Sequence, residues 1–261
     1  MKTQEVIDYL NSTFHPEYQE DYDNAGFLLG DARSEYKGAL VALDLTPAVV
    51  DEAVALGVSL VVTHHPFIFK GVRRLTDATE TGRMTMQLIK NDISVYAAHT
   101  NLDNLPWGVN GVLGDILGLQ NARILKPFDN DDDLGAGMVG ELSDAEECDA
   151  FLQRVKEALG LPVVRCSAHE AGRLVRRVAI CGGSGSEFIG DAQSAKADIY
   201  LTADLKYHDF QRTDGRMVLA DIGHYESEQF AREIIFCTIS EKFSNFACRI
   251  SETQEGIVKY I

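Results

Sequence analysis

The chain has 261 residues, of which 45% are hydrophobic and 25% are charged, and its formal net charge at pH 7 is −16. This length and apolar content allow a large core in one or two domains and exclude an intrinsically disordered chain. Because an acidic surface repels phosphate backbones and anionic membranes, we expect neither nucleic acid nor a membrane as a partner.

The N-terminal segment predicts an amphipathic helix, since Val6, Ile7, Leu10 and Phe14 recur at helical spacing. Its early acidic residues argue against a secretory signal, and no apolar stretch approaches the ~20 residues that span a bilayer. The five cysteines form no C-x-x-C pair, which favours structural thiols over a disulfide framework or a redox site. We therefore predict a cytoplasmic protein.

The first half of the chain alternates strands and helices after an acidic turn. Residues 20–31 form either a loop with a short strand or a wall of the functional site. The regular pattern then predicts strands at 38–45, 59–63 and 93–98 and helices at 46–56, 81–91 and 107–117. Such strand–helix–strand units form right-handed parallel sheets, whose functional groups lie beyond the carboxyl ends of the strands.

A second alternation follows the acidic turn at 128–133. We predict a connecting strand at 121–126, strands at 138–142, 163–166, 175–180, 198–201, 217–220 and 246–250, and helices at 144–159 and 224–242. Ser143 and Glu146 have the capping-box spacing, which places the start of the first of these helices at residue 144. The glycine-rich segment 181–186 is interpreted as a tight turn, with a weaker alternative as an anion-binding loop.

Histidines and carboxylates concentrate where these strands end. His64 and His65 follow one buried strand, and His99 and Asp103 follow the next. His224 and Glu228 are four residues apart, so on a helix they share one face and can bind the same metal ion. His99 and His208 are open to three roles: metal ligand, support of a ligand, or acid/base group.

Four stretches together resemble the NIF-three-like family, whose members are often labelled GTP cyclohydrolase I type 2 homologues. They are DNAGFLLG at 23–30, THHPFIFKG at 63–71, HTNLD at 99–103 and GHYESE at 223–228. The resemblance extends from Asp23 to about Phe230, and the order of the four motifs is specific. The chain corresponds to the short form of the family, which lacks an inserted domain.

The resemblance implies a two-lobed α/β fold with mixed sheets flanked by helices and a dinuclear metal site in the cleft between the lobes. We expect an N-terminal lobe at 1–125 and a C-terminal lobe at 126–261 that pack as one unit. The implied assembly is a toroidal homohexamer. Carried over position by position, the implied metal ligands are His64, His65, Asp103, His224 and Glu228.

Three histidines and two carboxylates favour Zn, Fe, Mn or Ni over Ca or Mg, which prefer oxygen ligands. A pair of such ions predicts hydrolysis of a nucleotide or related small molecule by metal-activated water, with His99 or His208 transferring protons. The alternative hypothesis is a non-enzymatic metal-binding ring that acts as a chaperone, metal carrier or interaction scaffold.

Overall fold

The structure is a computed structural model that describes residues 1–253 and 256–261. Its strands are β1 (Gly26–Leu29), β2 (Ala39–Ala42), β3 (Leu60–Thr63), β4 (Ser94–Ala97), β5 (Gln120–Phe128), β6 (Asp131–Glu147), β7 (Arg165–Cys166), β8 (Leu174–Ser184), β9 (Ile199–Ala203), β10 (Val218–Asp221) and β11 (Cys248–Ile250). Its helices are α1 (Thr3–Phe14), α2 (Pro47–Leu56), α3 (Glu80–Lys90), α4 (Thr100–Asp103), α5 (Val109–Leu117), α6 (Cys148–Leu159), α7 (Ile189–Ser194), α8 (His224–Glu228) and α9 (Ala231–Lys242). No helix within the described residues has the length and apolar character needed to cross a bilayer.

The first of two compact units comprises Met1–Leu102 and residues 231–253. Its five-stranded sheet has the order β1-β4-β3-β2-β11. The strands β4, β3, β2 and β11 are parallel, and β1 is antiparallel to β4. The predicted parallel βαβ arrangement is therefore confirmed, with α2 joining β2 to β3 and α3 joining β3 to β4.

Local signals set the boundaries of α2. The side chain of Thr46 accepts a hydrogen bond from the backbone N–H of Val49, and Pro47 occupies the first turn. Gly57 ends the helix with a left-handed φ of 67°. The helix then packs its buried side chains on the sheet, in a core that includes Leu40, Val49, Val50, Val61, Leu88 and Val95.

The second unit comprises Asp103–Phe230 and Gly256–Ile261. Its six-stranded sheet has the order β5-β6-β8-β9-β10-β7. The strands β8, β9 and β10 are parallel, whereas β5, β6 and β7 each pair antiparallel to a neighbour. Both units are thus mixed sheets flanked by helices, as the sequence predicts.

The division of the chain differs from the predicted boundary at residues 125 and 126. It falls between Leu102 and Asp103, and the segment with α9 and β11 belongs to the first unit. Hydrogen bonding between strands accounts for both differences. The strand β5 pairs with β6 of the second unit, and β11 pairs with β2 of the first.

The predicted helix start at residue 144 is wrong. The strand β6 continues to Glu147, and α6 begins at Cys148 without a side-chain cap. Glu146 and Glu147 pair with Val175 and Leu174 of β8, so strand pairing prevails over the local capping signal. The predicted helix 224–242 is also interrupted, because α8 ends at Glu228 and α9 begins at Ala231.

Candidate metal-binding site

Three histidines of the first unit converge at the carboxyl ends of two neighbouring parallel strands. His64 and His65 directly follow β3, and His99 follows β4 after one residue. Their ring centroids lie 4.9 Å apart for His64 and His65, 5.3 Å for His64 and His99, and 5.4 Å for His65 and His99. One ring nitrogen of each lies within 4.8 Å of those of the other two, close enough to surround a metal ion.

Each of these histidines donates its Nδ1 hydrogen to an oxygen that can only accept. The acceptors are the Ala98 carbonyl oxygen for His64, Asp44 Oδ1 for His65 and Asp23 Oδ1 for His99, each at 2.7 Å. With Nδ1 engaged in this way, Nε2 is the ring nitrogen that carries the lone pair whenever the imidazole is neutral. Metal-bound histidines in proteins are oriented by the same kind of hydrogen bond. The three side chains thus fit a borderline divalent metal such as zinc or iron.

Asp23 is held ionised beside His99. Burial raises the pKa of its carboxyl, but hydrogen bonds from His99 and Thr100 and the charge of His99 outweigh this effect and lower the pKa to about 2. The backbone N–H of Thr100 donates to the second carboxylate oxygen at 3.1 Å. Of the two interpretations of segment 20–31, the contact with His99 favours a wall of the functional site.

His224 and Glu228 of the second unit form the predicted pair on one face of a helix. His224 Nε2 lies 2.9 Å from Glu228 Oε2 on α8. The other ring nitrogen, Nδ1, donates to Asp204 Oδ2 at 2.8 Å. This histidine therefore has the same carboxylate-held arrangement as His65 and His99.

Asp103 also belongs to the second unit, where one of its carboxylate oxygens lies within 4.8 Å of one from Glu228. Two carboxylates this close repel each other unless a cation or proton intervenes. Cys181 lies near both: burial, followed by the charges of Asp103 and Glu228, raises the pKa of its thiol. Asp103 and Glu228 are the candidate oxygen ligands that the sequence predicts.

Most of the glycine-rich segment 181–186 is strand and not a turn, and the chain leaves the strand only at Gly185, before a short 3-10 helix that begins at Ser186. The strand β8 continues through it to Ser184. The backbone N–H of Gly182 donates to Asn110 Oδ1 at 2.9 Å, and that of Gly183 donates to Ser227 Oγ at 3.0 Å. These N–H groups are thus engaged within the protein.

His208 belongs to the second unit. It is exposed in the loop after β9, where its ring is 5.2 Å from that of Tyr207. In the part of the chain that the structure describes, no cluster of potential metal ligands includes His208. Its assignment as a proton-transfer group stays a prediction.

Three aspartates with a role at the site escaped the sequence analysis: Asp44, Asp204 and Asp221. Asp221 is the last residue of β10, and its Oδ2 accepts hydrogen bonds from the Arg165 guanidinium and, at 3.1 Å, from the Leu205 N–H. Its Oδ1 accepts from the Gly223 N–H at 3.1 Å. One carboxylate thus joins the loop of Asp204 to the start of α8. The sequence does contain one feature that these three residues share, because each is an acidic residue at or just after the end of an apolar strand.

Comparisons with known proteins agree with this fold. A sequence model of the Duf34/NIF3 (NGG1p interacting factor 3) family matches residues 1–256. A "GTP cyclohydrolase 1 type 2 homolog" of Clostridium perfringens is 35% identical over 231 residues, which cover 87% of each chain. A relative with the same name from Streptomyces coelicolor is 36% identical over 231 residues, which cover 86% of this chain and 80% of the relative.

Two solved structures are also similar. The hypothetical protein SA1388 of Staphylococcus aureus superposes with a TM-score of 0.90 at 29% identity, covering 100% of this chain and 99% of that one. Reduced HcgD from Methanocaldococcus jannaschii gives a TM-score of 0.80 at 26% identity, covering 97% of this chain and 98% of that one.

Proposed function

The chain belongs to the Duf34/NIF3 family, and from this premise we propose that it is a metal-dependent hydrolase acting on a nucleotide or related small molecule. The observation that carries the proposal is the common orientation of the histidines. His64, His65 and His224 each donate Nδ1–H to an oxygen acceptor, which fixes the ring so that Nε2 is the atom that would bind a metal ion. His224 Nε2 lies 2.9 Å from Glu228 Oε2, the other proposed ligand on α8.

We assign the ligands of two divalent ions to the five residues that the family resemblance implies: His64, His65, Asp103, His224 and Glu228. Imidazole and carboxylate donors in this ratio suit Zn, Fe, Mn or Ni. When bound, such a pair lowers the pKa of a water molecule to about 7 and polarises a carbonyl or phosphoryl oxygen of the substrate.

The residues around the ligands have separate tasks. Asp44 and Asp204 fix the ring orientation of His65 and His224. His99 transfers a proton, because the ionised Asp23 beside its Nδ1 stabilises the positive charge that the ring acquires when it accepts one. The burial of His64 and Glu228 keeps bulk water from these side chains.

The assembly and location form part of the same proposal. A homohexameric ring and a cytoplasmic location follow from the family resemblance and the composition. Light scattering after size-exclusion chromatography tests the ring: a mass of six chains supports it, and a monomer contradicts it.

The test of function is metal content by mass spectrometry, on protein purified without chelator. We expect about two ions per chain in the wild type and a large loss in His64→Ala/Glu228→Ala. The matched control is His15→Asn/Glu17→Ala, which removes a histidine–carboxylate pair at the surface. Asparagine tolerates the left-handed backbone at position 15.

Each outcome has a distinct meaning. A wild type without stoichiometric metal, or metal that survives in the double variant, would contradict the ligand assignment. Metal-loaded protein is then incubated with nucleotides and phosphoesters, and hydrolysis products are measured by chromatography. Bound metal without hydrolysis of any compound would favour the non-enzymatic metal-binding ring.

A further inference from the structure

A cationic segment follows the histidine pair in this acidic protein. Residues 67–76 contain Lys70, Arg73 and Arg74 and no acidic residue, although the chain as a whole carries a net charge of −16. The segment connects β3 to α3, and every residue from 69 to 80 is exposed. Three positive charges are therefore presented to solvent between five and nine residues after His65.

These cations differ from the other arginine-rich run of the chain. Arg176 and Arg177 share the carboxylate of Glu141, at 4.0 and 2.6 Å, so each has an ionic partner within the protein. Among the described residues, no ion pair or side-chain hydrogen bond involves the three cations of segment 67–76. Their charges are available to an anion from outside.

The same segment is attached to the histidine cluster. Asn24 Nδ2 donates to the carbonyl oxygen of Ile68 at 2.6 Å. The ring of Phe69 lies 6.2 Å from that of His99 and 6.3 Å from that of Tyr22. Both Phe69 and Tyr22 are exposed, by 42% and 58%. One accessible aromatic ring, that of Phe69, therefore stands beside a histidine of the site, and a second, that of Tyr22, adjoins the first.

Aromatic and cationic groups thus adjoin along one segment. Lys70 is next to Phe69 in the chain, and the five residue steps from Phe69 to Arg74 span at most about 18 Å. Exposed aromatic rings stack on nucleobases, and lysine and arginine bind phosphate oxygens. A ligand with an aromatic ring and a phosphate group matches both features.

We infer that segment 67–76 recognises the substrate of the proposed hydrolase as a phosphorylated aromatic compound of the mononucleotide class. Phe69 and Tyr22 contact its aromatic ring, and Lys70, Arg73 and Arg74 bind its phosphate. This inference rests on the proposed function in so far as the bound compound is hydrolysed. The binding of the compound by the segment does not depend on that function. The acidic surface disfavours a polynucleotide as the occupant.

The test is equilibrium dialysis of full-length, metal-loaded protein with GTP, inorganic triphosphate and guanosine. We expect Lys70→Gln/Arg73→Gln/Arg74→Gln to weaken GTP and triphosphate binding by about tenfold, as the loss of three exposed charge contacts predicts. Guanosine binding stays unchanged in this variant. We expect Phe69→Ala to weaken guanosine and GTP binding but not triphosphate binding.

The control variant is Lys37→Gln/Lys90→Gln/Lys259→Gln, which removes the same charge from other exposed positions and should bind all three probes as the wild type does. Equal GTP affinity in the cationic-segment variant and the wild type would overturn the inference. So would a wild type that binds neither GTP nor triphosphate, or one that binds a single-stranded oligonucleotide more tightly than GTP.

The same samples separate this inference from the proposed function. Metal content and hydrolysis are measured on each variant alongside binding. If the protein holds metal and hydrolyses substrate, but the cationic-segment variant binds GTP as the wild type does, only the inference is refuted. If the cationic-segment variant binds GTP more weakly than the wild type, but the wild type holds no metal and hydrolyses no compound, only the proposed function is refuted.

Discussion

Gly183 lies directly against the carboxylate of Glu228. Its backbone has a φ of +63°, and a Cβ built at this position would stand 1.9 Å from Glu228 Oε1. Real Cβ atoms do not approach other atoms so closely, so any side chain at residue 183 must displace the carboxylate. The absence of a side chain in β8 thus makes room for a proposed metal ligand.

We predict that Gly183→Ala lowers the metal content of the purified protein well below that of the wild type. The matched control is Gly160→Ala, because Gly160 has a similar φ of +67° but nothing within 4 Å of the added Cβ. It should lose about 1 kcal/mol of unfolding free energy from backbone strain and keep its metal. Full metal content in Gly183→Ala would show that the position of Glu228 is not critical.

The two histidines left open by the sequence should behave differently. We predict that His99→Gln abolishes turnover while the metal content stays near that of the wild type, because we assign proton transfer to His99. His208→Gln should change neither quantity, since its ring is exposed and outside the histidine cluster. Loss of metal in His99→Gln would instead make this residue a ligand, as its closeness to His64 and His65 allows.

How well the fold is predicted depends on how local the signal is. The bounds of α2 follow from Thr46, Pro47 and Gly57, all of which act within one turn of the helix ends. The start of α6 could not be predicted in this way, because it depends on the pairing of Glu146 with Val175, far along the chain. Only the three-dimensional structure shows that β6 continues past the capping-box residues and delays the start of the helix.

The site follows the same rule. His224 and Glu228 could be paired from their spacing, because helix periodicity fixes the distance between positions i and i+4. The carboxylates that hold the histidines could not be assigned. Asp44 follows β2 and reaches His65 after β3, which requires knowing that these two strands are neighbours.

Asp221 should stabilise the second unit by joining two loops. We predict that Asp221→Asn lowers the unfolding free energy by about 2 kcal/mol, because it removes the charge from a buried acceptor of several hydrogen bonds. Arg165→Gln removes only the partly exposed partner and should cost less. Urea denaturation followed by circular dichroism measures both. Equal losses would place the stabilisation in the ion pair instead of the loop contacts.

Asp23 should make the stability of the metal-free protein depend on acid pH. Its pKa is about 2 in the folded state against an ordinary value of 3.8. A depressed pKa means that the ionised form stabilises the fold, so the contribution is complete above about pH 5 and is lost as the pH falls towards 2. After allowance for solvent screening, the shift corresponds to about 1–2 kcal/mol.

We therefore expect wild type to exceed Asp23→Asn in unfolding free energy at pH 6, and the difference to shrink by pH 3. Denaturant titrations in the presence of a chelator measure it at both values. Asp31→Asn is the control, because Asp31 also has a lowered pKa, through Arg33, but its pair is exposed to solvent and should contribute little at either pH. A difference that stays constant between the two pH values would mean that the charge of Asp23 does not stabilise the fold, and it would also remove the reason for assigning proton transfer to His99.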